Sequence, residues 1–230
     1  MPTEFSVIVP AYNEAPTIEA AVHEIRSTFS ELGCLYEIVI VDDGSTDETA
    51  TIATALSATI PQIRLIRHEK NQGKGTAVKT GVLAASGIWV LFLDADLATH
   101  PSEFKKILPY LDTADIIMGS RRVLGARITK QQPFYRVWLG SAFNLFVRRY
   151  LGIQFHDTQC GFKAFHRRTL SLFNALNATG WAFDVELLLR AQEKGYMIQE
   201  VPVTWRHGRE TRVRLADAWS IFRELLRMKR

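Results

Sequence analysis

The amino-acid sequence predicts an α/β fold, a Rossmann-like and mostly parallel sheet with helices on both faces. Strand-like and helix-like segments alternate from residue 5 onwards, which is the pattern of a parallel sheet with crossover helices. Residues 88–93 are all apolar, as expected for a strand that is buried on both faces. The length of 230 residues is enough for one large domain with a core of its own.

Four strands are predicted in the first half, where short runs rich in β-branched residues occupy positions 5–10, 36–43, 63–68 and 89–94. Helices are predicted between them, at 15–32, 46–58 and 74–86. The second helix follows Ser45 and has acidic residues in its first turn, so a capped N-terminus is expected there. Together these elements predict a doubly wound sheet.

The second half continues the alternation less regularly. Strands are predicted at 114–119 and 198–205, and helices at 101–111, 134–151, 167–176 and 183–195. No repeat or low-complexity linker separates the two halves. Residues 1–214 are therefore predicted to form a single domain, which is followed by an amphipathic helix at 215–230.

The charges of the chain are unevenly distributed. The formal net charge is only +4, but no acidic residue occurs from Ile116 to His156, where arginines and lysines are frequent. A basic region of this kind indicates an anionic partner. The two cysteines, Cys34 and Cys160, do not have the spacing of a disulfide framework or a zinc site.

Two segments have the pattern of amphipathic helices. No signal peptide is recognisable, and no apolar run reaches the length of about 20 residues that spans a bilayer, so no transmembrane helix is expected. Segments 132–152 and 215–230 nevertheless carry aromatic and apolar residues on one side of a helix and basic residues on the other. Each is interpreted either as a helix in a membrane interface or as a helix packed on the core.

Polar or acidic residues follow three of the predicted strands, at 10–14, 42–47 and 94–96. Because ligands of open α/β sheets bind at the carboxyl ends of strands, these segments are expected to meet in one crevice. Within the second segment, Ser45 and Asp47 are equally compatible with a structural role in a helix cap or turn and with a role in ligand binding. Asp94 and Asp96 would repel each other without a cation, and Mg²⁺ or Mn²⁺ suits carboxylate and phosphate oxygens.

The glycine-rich segment NQGKGTA, residues 71–77, opens a predicted helix. A phosphate could therefore bind at this helix N-terminus. The segment is not a Walker loop, because Lys74 is followed by Gly75 instead of Ser or Thr, and the third glycine of a dinucleotide-binding motif is missing. Taken alone, it does not identify the ligand.

Four segments in this order and spacing, VIVPAYNE, IVIVDDGSTDET, NQGKGTAVKTG and LFLDADL, resemble glycosyltransferase family 2. The resemblance covers residues 1–125 and implies a GT-A fold, a nucleotide-diphospho-sugar donor and Mg²⁺ or Mn²⁺ as cofactor. In the second half, MGSRR, HDTQCGFKAF and GWAFDVELLLRA resemble the members that transfer sugars to polyprenyl phosphates. They are more similar to dolichyl-phosphate β-glucosyltransferases than to dolichyl-phosphate mannose synthases.

The resemblance also implies roles for individual residues. Contacts to the nucleotide sugar are implied for Pro10, Tyr12, Glu14, Asp42, Asp43, Lys74, Asp94, Ala95, Asp96, Arg206 and Arg212. Metal ligation is implied for Asp94 and Asp96, and contacts to the acceptor phosphate for Arg121 and Arg136. The expected catalytic set is Asp94, Asp96, Arg121 and Asp157. Ala98 stands where the mannose synthases often have a glutamine, so a third protein ligand is not identified.

A phosphate acceptor determines which chemistry is expected. A phosphate monoester is already largely dianionic at neutral pH, so no general base is needed. The reaction then depends on positioning and on stabilising the charge of the departing diphosphate. Inversion at the sugar C1 with a β-linked product is expected. Asp157, Asp184 and Glu186 are interpreted as residues that orient arginines or sugar hydroxyls, or as partners in structural salt bridges.

The predicted function is transfer of a hexose, glucose from UDP-glucose, to a polyprenyl phosphate of the dolichyl type. A GDP-mannose donor and a soluble acceptor are the alternatives, and the intact pair of Asp94 and Asp96 argues against a nucleic-acid-binding or other non-enzymatic module. Residues 1–125 are expected to bind the nucleotide sugar and residues 126–214 the acceptor. The protein is expected to be peripheral, or monotopic, at the cytoplasmic face of a membrane.

Overall fold

The computed structural model describes residues 4–130, 134–206, 224, 225 and 228. Its strands are β1 (Phe5–Ala11), β2 (Tyr36–Asp42), β3 (Ile63–Arg67), β4 (Trp89–Leu93), β5 (Ile116–Ser120), β6 (Arg127–Lys130), β7 (Phe162–His166), β8 (Ile198–Pro202) and β9 (Thr204–Arg206). Seven of them form a sheet in the order β3-β2-β1-β4-β7-β5-β8. Every pair is parallel except the two that involve β7. The prediction of a Rossmann-like, mostly parallel sheet is confirmed.

Helices cover both faces of this sheet. They are α1 (Ile18–Glu31), α2 (Thr49–Thr59), α3 (Lys74–Ala84), α4 (Phe134–Leu151), α5 (Ser171–Asn174) and α6 (Phe183–Glu193). One apolar cluster joins α1 and α2 to alternate residues of the strands, such as Val7 and Val9. The opposite cluster joins α3, α5 and α6 to the intervening residues, such as Ile8. This alternation explains why the central strands are apolar throughout.

The antiparallel strand β7 was not predicted. The second of its five residues is Lys163, and lysine is rarely buried, so the segment lacks the apolar pattern of a core strand. In the structure Lys163 is fully buried. Pairing of β7 with β4 brings Phe162 opposite Leu93, at the end of the strand that carries the predicted metal ligands.

Three other predicted elements differ from the structure. The helix at 101–111 is replaced by two short 3₁₀ segments, Pro101–Lys106 and Leu108–Tyr110, because Pro109 has no N–H to donate to a helix. The predicted helix at 167–176 consists of a 3₁₀ turn and the short α5. The strand at 198–205 divides at Val203, and its second part, β9, pairs with β6 in a separate ribbon.

The predicted cap of α2 is also wrong. The helix begins at Thr49 instead of directly after Ser45, and its N-cap residue makes no side-chain cap hydrogen bond. Ser45 has a different partner, since its Oγ accepts a hydrogen bond from the backbone N–H of Asn13 at 2.9 Å. Asp47 accepts a hydrogen bond from the N–H of Thr49 at 3.0 Å. The polar residues after β2 therefore form a turn that leads into the helix.

Of the predicted C-terminal helix, only three residues are described. Glu224 and Leu225 are helical, and Leu225 is fully buried in the cluster that contains α3 and α6. Met228 packs against the same cluster. The other residues of 215–230 lie outside the described part of the chain, so the amphipathic character of the helix stays a prediction.

Close packing of α3 on the sheet can be tested with two glycines. A Cβ at Gly81 would overlap Ile8 Cγ2 and lie 3.0 Å from Val41 Cγ2, whereas a Cβ at Gly140 would have nothing within 4 Å. We expect Gly81→Ala to lower the free energy of unfolding by about 1–3 kcal/mol, through overpacking. Gly140→Ala is expected to raise it slightly, by about 0.5–1 kcal/mol, through helix propensity. Urea unfolding of both variants measures this, and equal effects would contradict the packing argument.

Candidate active site

The loops after β1 and β2 are joined by hydrogen bonds at the carboxyl edge of the sheet. In addition to the Asn13–Ser45 contact, the N–H of Thr46 donates to Asn13 Oδ1 at 2.8 Å. The N–H of Ala15 donates to Asp47 Oδ2 at 3.2 Å. Asn13 has a φ of 54°, which asparagine tolerates better than most residues. The predicted meeting of these two loops is confirmed, with Ser45 and Asp47 acting as turn residues.

Asp42 and Asp43 lie at the base of these loops and are buried. Asp42 accepts hydrogen bonds from the N–H of Ser45 at 3.1 Å and from Arg67 Nε at 3.2 Å. Asp43 lies 2.7 Å from His68 Nδ1. Both carboxylates therefore hold the backbone and side chains at the base of the crevice in place. Direct contact of either carboxylate with a base or ribose stays a prediction.

The glycine-rich segment before α3 is held by the chain itself. Asp43 accepts hydrogen bonds from the N–H of Gln72 at 3.0 Å and of Gly73 at 2.9 Å. The N–H of Thr76 donates to Thr179 O at 3.3 Å. These three donors already have protein partners and are not available to a phosphate, so binding of a phosphate at this helix N-terminus stays a prediction.

The glycines of this segment permit a close approach to residues 178–180. A Cβ at Gly73 would lie 2.6 Å from Thr179 O, and a Cβ at Gly75 would lie 2.8 Å from Phe183 Cβ. Only glycine allows such contacts without displacement. The consequence is that Lys74, between the two glycines, starts α3 at a fixed place beside the sheet edge.

Asp94 and Asp96 follow β4 directly. Asp94 Oδ1 lies 2.6 Å from Lys74 Nζ, and the two side chains are 31% and 17% exposed. Asp96 is exposed, and its Oδ1 accepts a hydrogen bond from the N–H of Ala98 at 2.9 Å. Leu97 has a φ of 53°, so the chain turns sharply after the pair. Both carboxylates therefore reach the crevice, as predicted, and Lys74 meets one of them.

The charge of Lys74 is stabilised from several sides. Its ammonium lies 5.2 Å from the centre of the Trp181 ring, a distance at which a cation is attracted to the ring face. Burial alone would lower the pKa of Lys74, but Asp94 and then Asp184 outweigh it and raise this pKa. Burial raises the pKa of the Asp184 carboxyl, against the effect of Lys163 and Lys74.

Gly161 is a site residue that the sequence analysis missed. A Cβ at this position would overlap Asp94 Oδ2 and lie 2.5 Å from Asp94 Cγ. Gly161 comes directly before β7, whose register with β4 places it opposite the start of the carboxylate pair. The sequence shows Gly161 only as a glycine in the HDTQCGFKAF segment. Its position beside Asp94 depends on the pairing of β7 with β4, and β7 was not predicted.

The residues present fit a divalent cation. Two carboxylates on one short loop supply the hard oxygen ligands that Mg²⁺ and Mn²⁺ prefer, and such ions commonly take their other ligands from water and substrate phosphates. Within the described residues, no group of three or more His, Cys, Asp or Glu side chains could hold a metal. Any remaining ligands of an ion bound by Asp94 and Asp96 would therefore come from elsewhere, for example from a diphosphate.

Arg121 directly follows β5 and is held by Asp157. Its Nε and Nη2 donate to the two carboxylate oxygens at 2.7 and 2.8 Å, and its backbone N–H donates at 2.9 Å. The guanidinium also lies 5.3 Å from the Trp205 ring centre. Burial would raise the pKa of Asp157, but the hydrogen bonds and charge of Arg121 lower it below its usual range. Asp157 therefore orients Arg121, and its lowered pKa makes it a poor proton acceptor.

Arg122 lies between Arg121 and helix α4. Its Nη1 donates to Ser141 Oγ at 3.2 Å. One turn further along α4, Asn144 Nδ2 donates to His156 O at 2.8 Å. Burial, followed by the repulsion of Arg121 and Arg148, lowers the pKa of Arg122 despite the nearby Asp157. Positive charge is therefore concentrated where the polar side of α4 meets β5.

The other predicted site residues are placed as follows. Tyr12 is exposed at the mouth of the crevice, and Glu14 Oε2 accepts a hydrogen bond from Thr17 Oγ1 at 2.7 Å. The N–H of Arg206 donates to Ala98 O at 2.8 Å, so β9 lies beside the loop of the metal pair. The side chain of Arg136 lies outside the described part of the chain, and so does Arg212. Pro10 is the penultimate residue of β1. Ala95 separates the two aspartates.

Helix α4 has three distinct sides. Val147 is buried and Phe143 packs on the same apolar cluster, so part of the apolar side that the helical wheel defined belongs to the core. Trp138 and Leu145 remain exposed, at 70% and 57% of their surface. Helix α4 therefore has an apolar side packed on the core, an exposed apolar side, and a polar side that contacts Arg122. No helix in the described residues has both the length and the hydrophobicity to cross a bilayer.

The sheet order, the crevice at its carboxyl edge and the carboxylate pair agree with the GT-A fold that the sequence predicts. The family model described as glycosyl transferase family 2 matches residues 6–173, and the chain belongs to this family. The fold is similar to the crystal structure of glucosyl-3-phosphoglycerate synthase from Mycobacterium tuberculosis in complex with Mg²⁺ and UDP. The TM-score is 0.71 at 25% identity, covering 98% of this chain and 78% of that chain.

Several similar relatives are named dolichyl-phosphate β-glucosyltransferase. The enzyme of Dictyostelium discoideum is 37% identical over 214 residues, which make up 87% of this chain and 65% of the relative. The enzyme of Saccharomyces cerevisiae is 33% identical over 92% of this chain and 69% of the relative. The chain thus spans about two thirds of the length of these relatives.

The role of Gly161 can be tested by binding. In Gly161→Ala the new methyl group displaces the Asp94 carboxylate, so we expect the affinity for UDP in the presence of Mg²⁺ to fall by about tenfold or more, since a misplaced metal ligand costs at least that much. Gly180→Ala serves as a control, because the nearest atom to its Cβ would be 3.8 Å away. Isothermal titration calorimetry measures both. Wild-type affinity in Gly161→Ala would show that Asp94 does not need this space.

Proposed function

We propose that the protein transfers a hexose, glucose from UDP-glucose, to the phosphate of a polyprenyl phosphate of the dolichyl type. The observation that carries the proposal is the pairing of an acidic, metal-type loop at β4 with the arginines that follow β5. Burial would lower the pKa of Arg121, but the hydrogen bonds and charge of Asp157 raise it, and Asp94 adds to the rise, so Asp94 and Arg121 lie within electrostatic range of each other. A nucleotide sugar and an anionic acceptor can therefore meet between them.

The donor is proposed to bind at the edge formed by β1, β2 and β4, within residues 1–125. The similar structure from M. tuberculosis was crystallised with Mg²⁺ and UDP, which supports a uridine nucleotide and a divalent ion here. Asp94 and Asp96 would hold Mg²⁺ or Mn²⁺, and Tyr12 lies at the mouth where a base would stack. When bound, the ion would neutralise negative charge on the diphosphate.

The acceptor phosphate is proposed to bind at the arginines of residues 126–214 and the end of β5. Arg121 presents only part of its guanidinium, because Asp157 takes two of its donor nitrogens. Arg122 is exposed, and the described partner of its guanidinium is a single hydroxyl, that of Ser141. The guanidinium can therefore turn toward a phosphate. Arg136, at a position in α4, remains a proposed further ligand of the acceptor phosphate.

These side chains divide the work of the reaction without a general base. Asp157 holds Arg121 in place, and the arginines hold the acceptor phosphate with one oxygen directed at the sugar C1. That oxygen attacks as the bond between C1 and the diphosphate breaks, which inverts the configuration and gives a β-linked product. No proton has to be removed from the acceptor, since its phosphate is already ionised.

A lipid acceptor requires contact with a membrane. The exposed Trp138 and Leu145 of α4 face away from the core, with Arg149 on the same side lining a shallow groove. Aromatic, apolar and basic groups on one helix face suit a bilayer interface. We propose peripheral attachment at the cytoplasmic face. Co-sedimentation with anionic vesicles tests it, and protein that stays in the supernatant would contradict it.

A soluble phosphorylated acceptor is the second candidate. It is favoured by the similarity to a glucosyl-3-phosphoglycerate synthase, which extends over 98% of this chain. Both candidates use an anionic acceptor at the arginines, and they differ in the need for the exposed face of α4. A GDP-mannose donor is the alternative on the other side of the reaction.

One assay distinguishes these possibilities. Radiolabelled UDP-glucose and GDP-mannose are offered separately with dolichyl phosphate in detergent, or with 3-phosphoglycerate, each with Mg²⁺, with Mn²⁺ and with chelator. We expect metal-dependent lipid product from UDP-glucose and its loss in Asp96→Asn. Product from 3-phosphoglycerate alone would move the acceptor to the soluble class. Unchanged turnover with chelator would contradict the metal site.

The acceptor role of Arg122 makes a separate prediction. We expect Arg122→Ala to raise the KM for a short-chain, water-soluble prenyl phosphate roughly tenfold to a hundredfold, the range for one lost hydrogen bond to a charged group. The kcat at saturating acceptor is expected to change little. Arg149→Ala, on the outer side of α4, is the matched control and should leave this KM unchanged. An equal rise in both variants would indicate a general effect of charge instead of a contact.

A further inference from the structure

The metal-type carboxylate pair already has a cation supplied by the chain. Lys74 Nζ lies 2.6 Å from Asp94 Oδ1, which is the distance of a charge-assisted hydrogen bond. The other oxygen of Asp94 points to Gly161. A divalent ion on either oxygen would therefore stand within a few ångströms of the ammonium, where two positive charges repel strongly.

The structure also limits where Lys74 can go. A second acid whose charge acts on Lys74, Asp184, is buried and already bound by Lys163 at 2.6 Å. The Trp181 ring covers another side of the ammonium. The backbone of Lys74 is confined between Gly73 and Gly75 against residues 178–180. The side chain of Lys74 is 17% exposed, so it can change its rotamer while the backbone stays in place.

We propose that Lys74 is a counter-cation of Asp94 that a divalent ion displaces only when a nucleoside diphosphate gives the ammonium a new anionic partner. The inference rests on the proposed function, because it takes the metal and the diphosphate from there. Free metal then binds weakly, since it must break the ion pair without compensation. With the diphosphate present, the ion occupies Asp94 and Asp96 while Lys74 moves to a phosphate oxygen.

Coupled binding has a functional consequence. Because the coupling is reciprocal, the ion strengthens nucleotide binding by the same factor by which the nucleotide strengthens ion binding. Once the diphosphate leaves, Lys74 returns to Asp94 and expels the ion. The exchange of Lys74 and the ion at Asp94 thus keeps the charge of this carboxylate balanced in the empty site. It also prevents the metal from remaining bound after turnover.

Mn²⁺ binding to the full chain tests the proposal, measured by the loss of the free-ion signal in electron paramagnetic resonance. We expect weak binding of Mn²⁺ alone to the wild type and clear strengthening by UDP. In Lys74→Met, Mn²⁺ alone should bind about tenfold tighter or more, because the competing charge is gone, and UDP should strengthen it less. Lys74→Arg should bind Mn²⁺ as weakly as the wild type.

Lys70→Met is the matched control, since it removes the same charge from an exposed position of the preceding loop and should leave Mn²⁺ binding unchanged. Thermal melts establish that each variant is folded. Tight Mn²⁺ binding to the wild type without UDP, or no gain in Lys74→Met, would overturn the counter-cation while keeping the metal site. Absence of Mn²⁺ binding to the wild type even with UDP would overturn the metal site and the inference together.

Discussion

The buried ammonium of Lys163 is the constraint on which the geometry of the site depends. It has no exposed surface and lies on β7, an interior strand of the seven-stranded sheet. Removing a charge from water is costly unless it is paired and hydrogen-bonded. Its Nζ donates to Cys160 O at 2.7 Å and to Asp184 Oδ1 at 2.6 Å. The start of α6 must therefore lie against β7, because Asp184 stands in the first turn of that helix.

The position of Lys74 follows from this docking of α6. Two residues after Asp184, the Glu186 carboxylate accepts hydrogen bonds from the N–H groups of Asn177 at 3.1 Å and Ala178 at 2.7 Å. The segment that Glu186 orders is the one against which Gly73 and Gly75 pack. A series of contacts thus leads from the core lysine to the lysine at Asp94, through backbone that has little freedom to move.

The fold was predictable where local pattern and burial agree. The strands before residue 94 and helices α1, α3 and α4 were predicted closely, because apolar runs and helical periodicity report directly on packing. The convergence of the two loops and of Asp94 and Asp96 followed from the rule for strand ends. What could not be predicted depends on tertiary contacts. Lys163 concealed β7, and Gly161 has its role only through the register of that strand. The contacts of Asp43 to His68 and to the N–H groups of Gln72 and Gly73 could not be predicted either, because these partners are distant in sequence.

Both substrates of the proposed reaction carry phosphate, so their approach is opposed by like charge, and the distribution of charged side chains answers this requirement. On the donor side, acids dominate and a lysine balances them, an arrangement that accepts a divalent cation with its diphosphate. On the acceptor side, Arg121 and Arg122 lie near a single carboxylate, that of Asp157, so positive charge remains in excess.

An anionic acceptor is attracted to that excess of positive charge, whereas a neutral hydroxyl acceptor would gain nothing from it and would also need a base. Asp157, with its lowered pKa, is poorly suited to be that base. The electrostatics of the site therefore favour a phosphate acceptor independently of any similarity to other proteins.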